Sequence, residues 1–281
     1  MSRTEEAYRI EAELARRLSA TPRRLRTRVA RDVYAELYRR VHWHPDLSRS
    51  ADDRRARVRQ VRYAYDRWIR RASAVLEVGA GNCEVIADAG RDSKHVRFVG
   101  IDVARAPRER SDAGLPENVL FAQAAAAEIP IADSCIDLVF SSQVLEHLHP
   151  EDVSDHLAEV ARVLRPGGWL GFDTPNRLTG PHDISRGFTA EATGLHLKEW
   201  TYREFVPLLR AGGFDVIRTR LLPGRFARAL GAPPPGPLAD VRIKGALERF
   251  IWLLPHRGLR RVAARIAGLD GIYIYARKAG A

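Results

Sequence analysis

The stretch VLEVGAGNCE, Val75 to Glu84, holds the residues of this 281-residue chain best suited to chemistry. An apolar run enters a turn with glycines at Gly79 and Gly81. Glycine tolerates backbone angles that other residues resist, and its missing side chain lets a ligand approach the main chain. A helix expected to begin near Asn82 would turn unpaired N–H groups toward such a ligand. Asp102 follows 21 residues after Gly81, at the end of a second apolar run. A carboxylate at that edge can accept hydrogen bonds from both hydroxyls of a ribose. Together the two features describe a nucleoside-bearing ligand, whether a dinucleotide or another adenosine cofactor. Against the dinucleotide, the third glycine position of G-x-G-x-x-G is Glu84. Glu77 would also sit badly beside a pyrophosphate and well beside a positively charged amino acid group.

The elements that must position these residues follow a regular order. β-rich runs at 74–79, 96–102, 118–122, 135–141 and 168–174 alternate with helical stretches. Before the fifth run, Pro150 is expected to open a helix lined by Val153, Leu157, Val160 and Leu164, and Pro166-Gly167-Gly168 to end it. Such alternation predicts an α/β fold with a doubly wound parallel sheet. Two further strands are expected at 214–222 and 271–278, giving about seven. Thr201, with Glu204 three residues later, reads as a capping box opening a helix before the sixth strand.

The first 72 residues read as helices. Ile10, Leu14 and Leu18 share one face; Thr21-Pro22 is a start signal for a stripe of Leu25, Val29, Val33, Leu37 and Val41; Val58, Val61, Tyr65, Trp68 and Ile69 form a third stripe. Residues 175–200 form an insertion at the carboxyl edge where such sheets bind ligands. Residues 223–270 form another, with a loop at GAPPPGPLAD, an apolar face of Ile243, Leu247, Phe250, Ile251 and Leu254 flanked by Arg242, Lys244 and Arg249, and a second basic segment, LRRVAARIAG. The expected organisation is a helical cap at 1–72, a ligand-binding core at 73–222, a helical insertion at 223–270 serving as a lid or facing a membrane, and a final core strand at 271–281.

Composition bounds the function. A chain 45% hydrophobic and 29% charged can bury a large core, which excludes a disulfide-stapled miniprotein or a coiled coil. The net charge is +11, carried by 42 arginines and only four lysines. It divides unevenly: residues 1–72 are net +10, residues 73–217 net −9 and residues 218–281 net +10. The excess therefore lies in the flanks, where it could meet an anionic acceptor, anionic lipid or nucleic acid. Two cysteines, Cys83 and Cys135, exclude a disulfide framework. The charged N-terminus lacks an apolar signal core, and no apolar run reaches the roughly 18 residues that span a bilayer. A cytoplasmic protein is expected, peripheral at the inner membrane face if the C-terminal helices meet lipid.

Four segments carry a family resemblance: VLEVGAGNCE, VGIDVAR, AEIPIADSCIDLVFSSQVLEHL and EVARVLRPGGWLGFDTPN, in that order. Together they resemble the class I S-adenosylmethionine-dependent methyltransferases of the small-molecule type, over residues 73–217. The resemblance implies a Rossmann-like sheet with an antiparallel last strand, and S-adenosylmethionine as cofactor with S-adenosylhomocysteine as product. It implies that Glu77, Gly79 and Gly81, with Asn82, line the methionine half of the cofactor, and that Asp102 holds the ribose. Val103 would lie against the adenine, Ala125 and Ala126 at the adenine edge, and Ser141, with Ser142 and Gln143, at the methionine pocket. The chain departs from the pattern at Ala125, where an aspartate that meets the adenine amino group is common.

Direct displacement at a sulfonium needs alignment above all. A hydroxyl acceptor must also lose a proton, for which a base is needed. Candidate bases are His147, in VLEHLHP, and His182 and His196 in the 175–200 insertion, since histidine titrates near neutral pH. Lys198 or Arg186 is a candidate contact for an anionic acceptor. His182-Asp183 could help bind a divalent metal, but no dense His/Asp/Glu cluster is visible in the sequence, so no metal site is expected. The leading reading is O-methylation of a small-molecule, saccharide or lipid-linked acceptor, with peripheral contact to an anionic membrane. Nucleic-acid methylation is a second reading, disfavoured because DTPN replaces the N-P-P-[YF] motif. A non-catalytic cofactor-binding partner protein is a third. Acceptor identity and oligomeric state stay open.

Overall fold

A computed structural model of the chain describes residues 2–104, 114–222, 224–233 and 235–280. Its organising element is a sheet built from β1 (Ala74–Val78), β2 (Arg97–Asp102), β3 (Val119–Gln123), β4 (Ile136–Ser142), β5 (Leu164–Pro175), β6 (Phe214–Arg220), β7 (Leu238–Asp240) and β8 (Gly271–Lys278), in the order β3-β2-β1-β4-β5-β8-β6-β7. The first five strands are parallel; β8 runs antiparallel between β5 and β6. All five residues of β1 are buried, as expected of a central strand covered on both faces. Strand order reverses between β1 and β4, so a crevice opens at their carboxyl ends.

Helices flank this sheet: α1 (Arg3–Ser19), α2 (Arg26–Arg40), the short α3 (Pro45–Ser48), α4 (Ala51–Ile69), α5 (Glu84–Asp92), α6 (Asp152–Val163), α7 (Tyr202–Ala211), α8 (Gly224–Ala229), α9 (Val241–Trp252) and α10 (Arg257–Ile266). One core layer joins Leu157, Val160, Phe172, Phe205 and Phe214. Another joins Tyr65 and Ile69 of α4 to Ile86, Phe98 and Phe140. A third, smaller core ties α1 and α2, through Leu14, Leu18, Val33 and Leu37, to Leu195 in the segment after β5. The helices ahead of the sheet thus pack on the loop that follows its fifth strand. Tyr8 stacks on Phe188 at 4.3 Å across the same junction. Arg26 of α2 donates to Asp152 (2.6 Å) and Glu151 (2.7 Å) at the start of α6.

Several expectations need correcting. Leu164 begins β5 instead of closing α6, and Pro166-Gly167-Gly168 lies within the strand. Residues 165–168 have no partner in either neighbouring ladder, so the missing proline N–H costs no ladder bond, and Gly167 takes a φ of +77°. Thr21 does not cap α2: its hydroxyl donates back to the Arg17 carbonyl at 2.6 Å, and a 3₁₀ turn, Arg23–Leu25, precedes the helix. The α5 helix begins at Glu84, after Cys83 in the left-handed region. The end of the GAPPPGPLAD segment, expected as loop, forms β7 on the exposed edge of β6; three residues are too few to carry a strand pattern. Pro223 and Pro234 lie outside the described residues. The Thr201/Glu204 capping box forms at the start of α7.

The largest departure is α9. Three of the five residues of its expected apolar face point outward, Ile243 at 47%, Leu247 at 36% and Phe250 at 68% exposed, whereas Ile251 is buried and Leu254 half-buried against the core; Leu253, just past the helix, is 76% exposed. The side buried against the domain carries Lys244 and Glu248 along with Val241 and Ile251. Both charges are satisfied there. Lys244 Nζ donates to the carbonyls of Ala267 (2.6 Å) and Gly268 (3.2 Å). Glu248 accepts from the Asn176 amide (2.8 Å) and from the N–H groups of Tyr202 (2.9 Å) and Arg203 (3.1 Å), where its charge meets the positive end of α7.

Candidate active site

A cavity of about 710 Å³ occupies the crevice at the carboxyl ends of β1, β2 and β4, a size that suits a small-molecule site. Its two halves are built differently. The half nearest β1 and β2 rests on backbone. Gly79 has a φ of +73°, and a Cβ there would lie 2.2 Å from Val144 Cγ2, so no side chain fits. The N–H groups of Gly79 and Ala80 both donate to the Ile101 carbonyl, at 2.8 and 3.0 Å, tying the turn to β2. Gly81, at φ +52°, faces open space and donates its N–H to Asp102 Oδ2 at 2.8 Å. Asp102 Oδ1 accepts from Ala104 N–H at 3.1 Å, which holds the carboxylate at the strand edge. Asn82, Val103, Ala125 and Ala126 line the same half.

Glu77 is buried on the central strand with Oε2 lacking a hydrogen-bond partner among the described residues. Burial raises its pKa to about 8, against the opposing pull of Arg57 and the Ile86 N–H. Arg57 comes from α4 and donates to the Ser142 carbonyl at 3.5 Å. Nothing in the sequence marks it out, one arginine among many on α4. Ser141 is displaced from its expected role. It is buried behind the wall, its carbonyl accepting from the Tyr65 hydroxyl at 3.2 Å. Ser142 and Gln143 line the cavity instead, both donating to Asp173 Oδ2, at 3.1 and 2.9 Å.

The other half is made of side chains. Gln143 turns the chain at φ +59°, and Glu146 and His147 follow. The segment 195–200 is pinned against them: Lys198 N–H donates to the Glu146 carbonyl at 3.2 Å and the Trp200 indole N–H to the Leu145 carbonyl at 3.3 Å. Glu146 is fully buried; Oε2 accepts from the Thr174 hydroxyl at 2.8 Å, and Oε1 has no partner among the described residues. Burial raises its pKa to about 7, with nearby His196 opposing. Tyr34, Tyr38 and His44 of the N-terminal region close this end.

The three candidate bases all line the cavity but are not equivalent. His147 donates Nδ1–H to the Leu195 carbonyl at 3.0 Å. Burial, then repulsion from His196, lowers its pKa to about 3, so it stays neutral and is a poor proton acceptor. His182 directs Nε2 to Thr179 Oγ1 (2.9 Å) and the Asn176 carbonyl (3.2 Å), and burial lowers its pKa. His196 donates Nδ1–H to Glu199 Oε1 at 3.1 Å. Burial opposes its protonation, but the bond to Glu199 and the charges of Glu146 and Asp183 outweigh this and raise its pKa. The rings of His147 and His196 meet edge to face at 4.9 Å. Lys198 is engaged elsewhere, pairing with Glu204 at 3.0 Å and lying over the Trp200 ring at 3.8 Å. Arg186 lies exposed outside the cavity wall.

Residues 76–172 match the family model described as a methyltransferase domain. The chain is 33% identical over 200 residues to a probable S-adenosylmethionine-dependent methyltransferase of Mycobacterium tuberculosis H37Rv, covering 69% of each chain. It is 32% identical over 182 residues to a probable S-adenosylmethionine-dependent methyltransferase of Mycolicibacterium smegmatis, covering 63% of this chain and 66% of that one. The alignments thus span about two thirds of these relatives. In fold, the chain is similar to a SAM-dependent methyltransferase from Archaeoglobus fulgidus, with a TM-score of 0.51 and 16% identity over 84% of this chain and 98% of that one.

Proposed function

Because this chain belongs to the S-adenosylmethionine-dependent methyltransferases, we propose that it methylates an oxygen of a polar acceptor lodged against Glu146, His147 and His196. The bound cofactor supplies an activated methyl group on a sulfonium. The residues present fit that cofactor. The orphaned Glu77 Oε2 suits its amino group and Arg57 its carboxylate; Asp102 suits the ribose hydroxyls; Val103 and the alanines at 125 and 126 suit the adenine. The observation that carries the acceptor reading is the group of buried Glu146 and half-buried His147 and His196 at the cavity's other end. A neutral amine attacks without help, whereas a hydroxyl needs its proton removed, and this group is built to handle one. The test is a panel of saccharides and glycosides incubated with the protein and cofactor. We expect S-adenosylhomocysteine together with a methyl ether located by NMR; a methyl found on nitrogen or carbon overturns the oxygen assignment.

The outward apolar face of α9 supports a membrane-proximal acceptor. Exposed Leu259, Val262 and Ile266 of α10, at 51%, 56% and 82%, extend it, and Arg242, Arg249, Arg257, Arg260 and Arg265 belong to the same two helices. Exposed apolar residues among arginines suit an anionic bilayer surface. α10 is also tied to the segment after β5, since Arg261 donates to the Gly180 carbonyl at 2.6 Å and Arg257 to that of Ala190. No helix among the described residues is long and apolar enough to cross a membrane. Flotation with phosphatidylglycerol vesicles tests this: binding at low salt is expected, lost in Phe250→Asp/Leu253→Asp. Absence of binding to those vesicles removes the membrane reading.

A further inference from the structure

Glu146, His147 and His196 each offer one ligand atom, and these atoms lie within 4.8 Å of one another. Hydrogen bonds have already chosen the tautomers. His147 gives its Nδ1 proton to the Leu195 carbonyl, and His196 gives its own to the Glu199 carboxylate, both oxygens that can only accept. In the neutral rings this leaves both Nε2 atoms with lone pairs. A histidine whose second nitrogen is anchored to a carbonyl or carboxylate is the arrangement that orients metal ligands and raises their basicity. The third member is Glu146 Oε1, fully buried yet without a partner among the described residues. A buried oxygen left unmatched is costly, so its position calls for an electrophile.

We propose that Glu146, His147 and His196 bind a divalent first-row transition ion of the zinc type, with its remaining coordination positions open to the cavity. Two imidazoles and one carboxylate are a donor set that suits zinc, iron or cobalt and does not suit magnesium or calcium, which prefer all-oxygen shells. Ligand bonds of about 2.1 Å require pairwise ligand separations of roughly 3–4 Å, so the three side chains need to close in by only a fraction of their present spacing. Asp183 is not a member: its oxygens accept from Ser185 N–H at 3.1 Å and Gly194 N–H at 2.8 Å. The role follows from the position and rests on the oxygen-acceptor reading above. An acceptor hydroxyl on the ion is acidified and releases its proton to water. The resulting oxygen forms the new C–O bond as the C–S bond breaks, its electron pair staying on sulfur as the neutral thioether.

Calorimetry on the full chain, stripped with EDTA, tests the site with Zn²⁺ and Co²⁺ as probes. We expect one ion per chain and visible cobalt absorption bands. Glu146→Gln and His196→Ala should abolish the bands. Glu199→Ala, which removes the anchor behind His196, should weaken binding by about 10–100-fold. S-adenosylhomocysteine affinity, measured on the same samples, reports that each variant is folded. No ion binding in a sample that binds S-adenosylhomocysteine overturns the site and leaves His196 with Glu199 as a metal-free base. Ion binding that survives Glu146→Gln and His196→Ala overturns it equally. Failure to bind S-adenosylhomocysteine with the ion still bound counts instead against the cofactor assignment.

Discussion

The two ends of the cavity are held by different physics. At the cofactor end, a short stretch of backbone makes the shape: Gly79 and Gly81 at positive φ, two N–H groups on one carbonyl, and Asp102 clamped by main-chain donors. At the acceptor end, side chains from β4's loop, from the segment after β5 and from the N-terminal helices converge on a buried carboxylate and two histidines. The first kind of site is local and tolerant of what surrounds it. The second depends on long-range packing, because Leu195 is held by α1 and α2 and in turn accepts the bond that orients His147.

The contrast can be broken most severely at the acceptor end. His196→Ala should lower turnover by about 10²–10⁴-fold, while calorimetry finds S-adenosylhomocysteine affinity unchanged; equal losses in both would merge the two halves into one unit. At the cofactor end, Asp102→Ala should weaken S-adenosylhomocysteine by about 10–100-fold, the worth of hydrogen bonds to a charged group. Turnover at saturating cofactor should recover.

Glu77 sharpens the comparison through pH. Its folded pKa, about 8, lies above its ordinary 4.5, so the free protein's stability from this group is complete below about 4.5 and is lost as pH rises through 8. In the proposed binding mode, the cationic cofactor is matched by the ionised form. Affinity for S-adenosylmethionine should therefore climb as pH rises toward 8 and then level off, with proton release on binding at neutral pH. Glu77→Gln should flatten both profiles, as read by calorimetry in buffers of different ionisation enthalpy. The smallest effect belongs to a scaffold element outside the cavity wall. Thr201→Ala removes the α7 cap and should cost about 1 kcal/mol, seen as a melting point lower by a few degrees with ligand affinities unchanged.

Legibility followed the same division. The β1 turn, Asp102 and the alternation of strands and helices were readable because each is written in contiguous residues with a period or a spacing. His147, His182 and His196 were readable as types, but not their inequality, since burial and hydrogen-bond partners decide whose pKa falls and whose rises. Glu146 escaped notice because a glutamate in VLEHLHP looks like any helix-start carboxylate until Thr174 and His196 surround it. The expectation of no metal-capable cluster came from the same cause: His196 is 49 residues from His147 in sequence. Arg57 sits in a helical stretch whose sequence marks only packing, and the apolar pattern of α9 does not show that Lys244 and Glu248 share its buried side with Val241 and Ile251.

By itself, then, the sequence determined a nucleoside site at the sheet's edge, because glycine turns and strand-end carboxylates act through local backbone geometry, and the resemblance carried by its four ordered motifs implied which cofactor fills it. The sequence also determined the sheet, because hydrophobic period dictates strand and helix. The acceptor end was decided by tertiary structure. Its carboxylate, its two imidazoles and the arginine that meets Glu77 are neighbours through packing alone. Their protonation is set by desolvation and by partners that no spacing in the chain encodes.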